Sequence, residues 1–208
     1  MTLTAEIAVT VALVSLFCIS HSILASKKIK KAFQDRFGNL IAFYRIGYNI
    51  LSVITLVIIY KMLPEIDITL YDLPNPYDLM IVFCQLLSIV GFIWSARYFS
   101  AEEFIGWSQI KRHKAGQYDV NDIDESSTLR IEGPYKYSRH PVYFFSIMFL
   151  IMRPVMTLTY FLIVAIFVVY FYIGSVFEEK RLVEKFGEAY IEYQKAVPRI
   201  IPTKFFRA

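Results

Sequence analysis

The sequence predicts an all-α integral membrane protein with about five transmembrane helices, a carboxyl-terminal helical hairpin and a cytoplasmic amphipathic helix. Three observations predict it. Of the 208 residues, 56% are hydrophobic and 19% charged, with a mean hydropathy of +0.46; soluble domains average ~45–50% apolar and ~25% charged. The apolar residues gather in runs near the ~20 residues that cross a hydrocarbon core of ~30 Å. The polar segments between those runs alternate between basic and acidic.

The first span is expected over residues 4–25. Its apolar run is longer than the ~7–15-residue core of a signal peptide, and Glu6 stands where a positive flank would be; a retained helix is expected. "SKKIKKAFQDRF" then sets Lys27, Lys28, Lys30, Lys31 and Arg36 against Asp35 alone, which marks a cytoplasmic segment. The second span covers 41–63, with Arg45 and Lys61 near its ends, where long side chains reach the headgroups. The segment after it has Glu65, Asp67, Asp72 and Asp78 and no basic residue, as expected on the outer side; Pro64, Pro74 and Pro76 keep it from being helical throughout.

The third span covers 79–98. Residues 1–98 thus form three amino-terminal spans, 99–132 a cytoplasmic connector, and 133–208 the hairpin and final helix of one domain. In the connector, Ser100 and Glu103 have capping-box spacing, Phe104, Ile105, Trp107 and Ile110 suit the headgroup region, and 115–127 is polar and aperiodic. The hairpin has a short arm over 141–152, opened by Pro141, and a long arm over 154–177, with 155–157 near the turn. A final amphipathic helix starts at Glu178 and stops before Pro198, because proline disfavours helix in the residue before it. Counting crossings puts the amino end outside and the carboxyl end in the cytoplasm.

Several function classes are excluded. No basic stripe with interleaved aromatics indicates nucleic acid. No G-x-G-x-x-G, Walker loop, H-E-x-x-H or C-x-x-C is present, so neither a Rossmann cofactor site nor a metal site is expected. Cys18 and Cys84 read as small buried hydrophobes. No internal repeat suggests a transporter.

Polar residues at span edges carry the candidate chemistry. Arg139-His140-Pro141 sits at a helix start, where unsatisfied N–H groups favour an anion; an interfacial basic anchor is the alternative. Glu178 and Glu179 follow an apolar run, either to hold a cation or as solvated flanks. Tyr190 and Tyr193 share one face of the final helix, an arrangement more often used for packing. His21, between Ser20 and Ser22, reads as an interhelical hydrogen bond.

Together, "LRIEGPYKYSRHPVY" and "EEKRLVEKFGEAYIEYQKAVPRIIP" resemble the isoprenylcysteine carboxyl methyltransferase superfamily. "HSILASKKIKKAF" and "YRIGYNILSVITL" resemble its bacterial branch of methanethiol S-methyltransferases and NnrU-like membrane proteins. The resemblance implies an S-adenosylmethionine-dependent membrane methyltransferase with a small hydrophobic or lipid-like acceptor, most simply a thiol. Prenylated cysteine and a phospholipid amine are further acceptors it allows, and a non-catalytic accessory protein is another reading. It implies a cofactor site of Gly133, Tyr135, Arg139, His140, Pro141, Tyr143, Glu178, Glu179, Tyr190 and Tyr193. In this reading Arg139 and His140 meet the cofactor's carboxylate or ribose, a glutamate meets its amino group or sulfonium, and the tyrosines line the adenine side. His140, Glu179 and Arg139 are the catalytic candidates. Membrane lipids are the expected surroundings, with no metal and no nucleic acid.

Overall fold

The structure, a computed structural model, describes residues 1–98, 100–119, 129 and 131–203. The acidic stretch 120–127 of the expected connector lies outside the described residues. The chain forms two compact units. One takes in the described residues of Met1–Ile7, Glu65–Tyr98 and Leu129–Ala208; the other takes in those of Ala8–Pro64 and Phe99–Thr128.

In the second unit, helix α1 (Leu3–Ala25) contributes all but its first residues. The basic segment expected as a loop is instead helix α2 (Lys27–Phe37), started by Ser26, whose hydroxyl accepts from the Ile29 amide at 3.4 Å. A 3-10 stretch (Gly38–Phe43) leads into α3 (Tyr44–Met62). His21 of α1 is satisfied as expected: Ser52 lies 2.9 Å from Nδ1 and the Tyr48 hydroxyl 2.6 Å from Nε2. The short helices α5 (Ala101–Ile105) and α6 (Trp107–Lys114) follow, α5 capped by Ser100 Oγ at 3.2 Å from the Glu103 amide. Gly106 between them has φ +100°, and a Cβ there would lie 2.8 Å from the Ile46 amide nitrogen.

The first unit has α4 (Tyr77–Ala96), α7 (Pro141–Ile151), α8 (Leu158–Phe186) and α9 (Glu188–Ala196). Ser88, Gly91 and Ser95 make one buried face of α4. Small residues let membrane helices approach closely, and α7 uses this: a Cβ on Gly91 would lie 2.2 Å from the Phe145 ring.

Among the described residues, four helical runs are long and apolar enough to cross a membrane: Leu3–Ala25, Lys27–Met62, Tyr77–Ala96 and Leu158–Phe186. Helix α7, at 11 residues, extends about 17 Å at ~1.5 Å per residue, so it is short, as expected of the first hairpin arm. Among the described residues there are thus four long candidate spans and one short apolar helix. Cys18 is buried, but Cys84 is exposed on α4 beside the exposed Phe83 and Leu87. This corrects the expectation for Cys84: the outer face of a span is apolar, so a thiol there has no need of burial.

Two further features depart from the sequence reading. Residues 155–157 are not merely a turn. They form strand β2 (Val155–Thr157), antiparallel to β1 (Thr69–Asp72), with Tyr71 opposite Met156. Ile66 and Leu73 extend the seam by hydrogen bonds to Thr159 and Pro154. Among the described residues the fold is thus helical with one small sheet. The final amphipathic helix also does not begin at Glu178. Helix α8 runs through both glutamates, because Glu, Lys, Arg and Leu all favour helix, and it breaks at Gly187 (φ +57°).

Candidate active site

Pro141 is the first helical residue of α7, where its missing N–H costs nothing. Its position places Arg139 and His140 just before the helix. These residues are held by a long-range backbone seam: the Arg139 amide donates to the Pro198 carbonyl at 3.0 Å and the His140 amide to the Arg199 carbonyl at 2.9 Å. Ser138 adds to the seam, its hydroxyl 2.8 Å from the Ile200 carbonyl and 3.2 Å from that of Arg199.

Glu179 is the centre of the cluster. Its side chain is 3% exposed, and both oxygens are taken. Oε1 accepts from Arg139 Nε at 2.8 Å and lies 3.2 Å from His140 Nε2. Oε2 accepts from Gln194 Nε2 at 2.9 Å and from Arg199 at 3.0 Å. Arg139 also donates to the carbonyls of Gln194 and Val197, which are left without intrahelical partners at the end of α9. A buried carboxylate is tolerable only when paired and hydrogen-bonded, and this one has both.

Glu178 differs. Its side chain is 39% exposed; its Oε2 accepts from the Tyr143 hydroxyl at 2.7 Å and lies 3.5 Å from His140 Nδ1. The imidazole of His140 is therefore between two carboxylates, with one oxygen for each ring nitrogen. It stacks on Tyr143 at 5.2 Å with an interplanar angle of 5°, and Tyr143 stacks on Phe171 at 5.3 Å. Arg199 is 31% exposed and lies over the Tyr172 ring at 5.5 Å.

Tyr190 and Tyr193 are buried with Val197, packed by Leu182, Val183 and Phe186. The Tyr193 hydroxyl donates to the Tyr135 carbonyl at 2.5 Å, fixing the 3-10 turn Gly133–Lys136. Gly133 has φ +55°, and a Cβ there would lie 2.3 Å from the Tyr98 ring. Burial and the negative charge of Glu178 push Tyr135 up to about 12. Burial, with the charge of Glu179 adding, also raises Tyr190; burial raises Tyr193.

The structure thus brings Arg139, His140, Tyr143, Glu178 and Glu179 into one hydrogen-bonded cluster. It places Tyr135 and Tyr193 beside it and Tyr190 in the packed base. Sequence reasoning missed Ser138, Gln194 and Arg199 as parts of the site. Arg199 had a usable signal, being a cation just past a helix end downstream of the two glutamates.

The sequence profile of the phospholipid methyltransferase family matches residues 80–189, more than half of the chain and both glutamates. The chain belongs to the phospholipid methyltransferase family. Three relatives in this broad methyltransferase group are named for a thiol acceptor. Methanethiol S-methyltransferase 1 of Bradyrhizobium diazoefficiens is 26% identical over 97% of this chain and 69% of its own length. The methanethiol S-methyltransferase of Crocosphaera subtropica is 26% identical over 93% and 74%, and that of Pseudomonas deceptionensis is 28% identical over 94% and 72%. No solved structure matches the chain. Membership in the phospholipid methyltransferase family, with four membrane-length apolar helices, makes the chain an integral membrane protein of a methyltransferase family.

Proposed function

We propose that the protein is an S-adenosylmethionine-dependent methyltransferase that S-methylates a small hydrophobic thiol, with its site on the cytoplasmic face. The observation that carries the acceptor class is that three relatives, each covering over nine-tenths of this chain, are named methanethiol S-methyltransferase. The charged segments support an amino end outside and a carboxyl end in the cytoplasm.

The exposed groups fit the amino-acid end of this cofactor, which has one ammonium and one carboxylate. Glu178 offers a carboxylate with solvent access and Arg199 a guanidinium with solvent access. Glu179, with four partners already, serves as the anchor for Arg139, His140 and Arg199. Bound at this site, S-adenosylmethionine supplies an electrophilic methyl group on a sulfonium. The aromatic stack of Tyr143 and Phe171 beside Glu178 supports this reading, because aromatic rings attract such a cation. A thiol reacts as its thiolate, so the protein's task is to place two partners in line and exclude water. The short helix α7 leaves the acceptor a path from the lipid side.

Purified protein, S-adenosylmethionine with a labelled methyl group and a panel of acceptors test this. The expected outcome is label on a small alkyl thiol, with none on a prenylated cysteine or phosphatidylethanolamine. Label on either of those two instead would overturn the thiol assignment. Failure to bind S-adenosylhomocysteine by calorimetry would overturn the cofactor and favour a non-catalytic accessory role.

A further inference from the structure

A cleft of about 360 Å³ lies in the second unit, and no residue of the candidate active site lines it. Its walls are Leu24 near the end of α1, Phe33 of α2, Leu40 and Phe43 of the 3-10 stretch, and Gly47 and Leu51 of α3, with Tyr44 and Tyr48 completing them. The volume is at the low end of the ~300–1,000 Å³ range of ligand pockets.

The cleft has no polar group on offer to a ligand. The Tyr44 hydroxyl donates to the Leu24 carbonyl at 2.7 Å, and the Tyr48 hydroxyl is 2.6 Å from His21. A polar occupant would lose its hydrogen bonds to water and gain none, so the matching occupant is hydrocarbon. Gly47 keeps the space open: a Cβ built there meets nothing within 4 Å.

The cleft lies between the end of α1 and the first half of α3, which α2 and the 3-10 stretch connect. Helix α2 has five basic residues and one acidic one, with Lys27, Lys28 and Lys31 exposed. Clusters of this size beside a membrane helix attract anionic headgroups. An apolar slot and a basic helix at one membrane edge match the two ends of one kind of molecule. We propose that this cleft seats an acyl chain of an anionic phospholipid whose headgroup is held by the lysines of α2. Such a lipid stays with the protein rather than exchanging freely with the surrounding bilayer, and it ties α2 to the ends of α1 and α3.

Electron paramagnetic resonance on the whole protein in nanodiscs tests this, with spin-labelled phosphatidylglycerol and phosphatidylcholine of identical acyl chains. The motionally restricted fraction is expected to favour phosphatidylglycerol. Each lysine is worth about 5-fold in relative association, so Lys28→Gln with Lys31→Gln should reduce the preference by up to roughly 25-fold. Gly47→Leu fills the slot and should reduce the restricted phosphatidylglycerol fraction with the lysines intact. Leu40→Phe fills it from the 3-10 stretch and guards against a folding defect peculiar to α3. Equal restriction of the two lipids by the natural protein overturns the proposal. So does an undiminished phosphatidylglycerol fraction in both filled variants, which would mean that headgroup adsorption alone had been measured.

Discussion

Glu179 Oε1 lies 2.8 Å from Arg139 Nε, and both side chains are at least nine-tenths buried although 40 positions separate them in the chain. Neither charge has water to fall back on. The pair is therefore the point at which α8, the start of α7 and the end of α9 are tied together.

Removing one member of such a pair leaves the other buried and uncompensated, at a cost of about 3–5 kcal/mol. Glu179→Gln should lower the thermal unfolding temperature in detergent strongly and abolish methyl transfer with it. Arg139→Lys should behave similarly, because an ammonium cannot reach Glu179 and the carbonyls of Gln194 and Val197 with one rigid fork.

Glu178 is the contrasting test. It is partly solvated, so Glu178→Gln should change the unfolding temperature little. If this carboxylate holds the cofactor's ammonium, S-adenosylhomocysteine affinity should fall about 10- to 100-fold, the range for a hydrogen bond to a charged group. Calorimetry on the folded variant separates binding from stability. Unchanged affinity would remove Glu178 from the binding set.

Gly133→Ala should destabilise the site by about 1–3 kcal/mol, because the new methyl enters the Tyr98 ring. Adding Tyr98→Ala removes the clash but not the strain of φ +55°. A partial rescue in the double variant is therefore expected, read as a double-mutant cycle of unfolding midpoints.

Alkaline titration should reveal the buried phenols. Tyr135 is raised to about 12 by burial and by Glu178, and Tyr190 and Tyr193 are raised by burial, against about 10 for the unfolded side chain. Between those values the folded state binds more protons than the unfolded state. These tyrosines thus add no pH dependence below about 10, and their contribution is lost as pH rises above it. Phenolate absorbance should show a late-titrating class that loses one phenol in Tyr193→Phe or merges with unfolding.

Local signals showed only part of this site: the proline at the start of α7 and, elsewhere, the Ser100 cap of α5 follow from spacing. Spacing left Arg139 and His140 open between an interfacial anchor and an anion site, and the family resemblance is what joined them to the two glutamates. The roles of the two glutamates were not legible. Adjacent residues on a helix point about 100° apart at ~3.6 residues per turn; Glu179 turns inward and Glu178 partly outward, and composition does not say which. The seam from Ser138 to His140 joins residues about 60 positions away, and β1 pairs with β2 across more than 80. Neither leaves a periodic mark. The break at Gly187 was overlooked because Leu182, Phe186 and Tyr190 keep a four-residue rhythm through it. That rhythm describes a straight helix, which the backbone at Gly187 does not continue.

The seam to Pro198–Ile200 has a consequence for biogenesis. Arg139, His140 and Glu179 all leave the ribosome before Arg199 does, so a nascent chain carries the glutamate into the membrane boundary with its set of partners incomplete. The cluster closes only once residues 194–200 fold back. Translation that stops after α8 would therefore deliver inserted helices without a finished site.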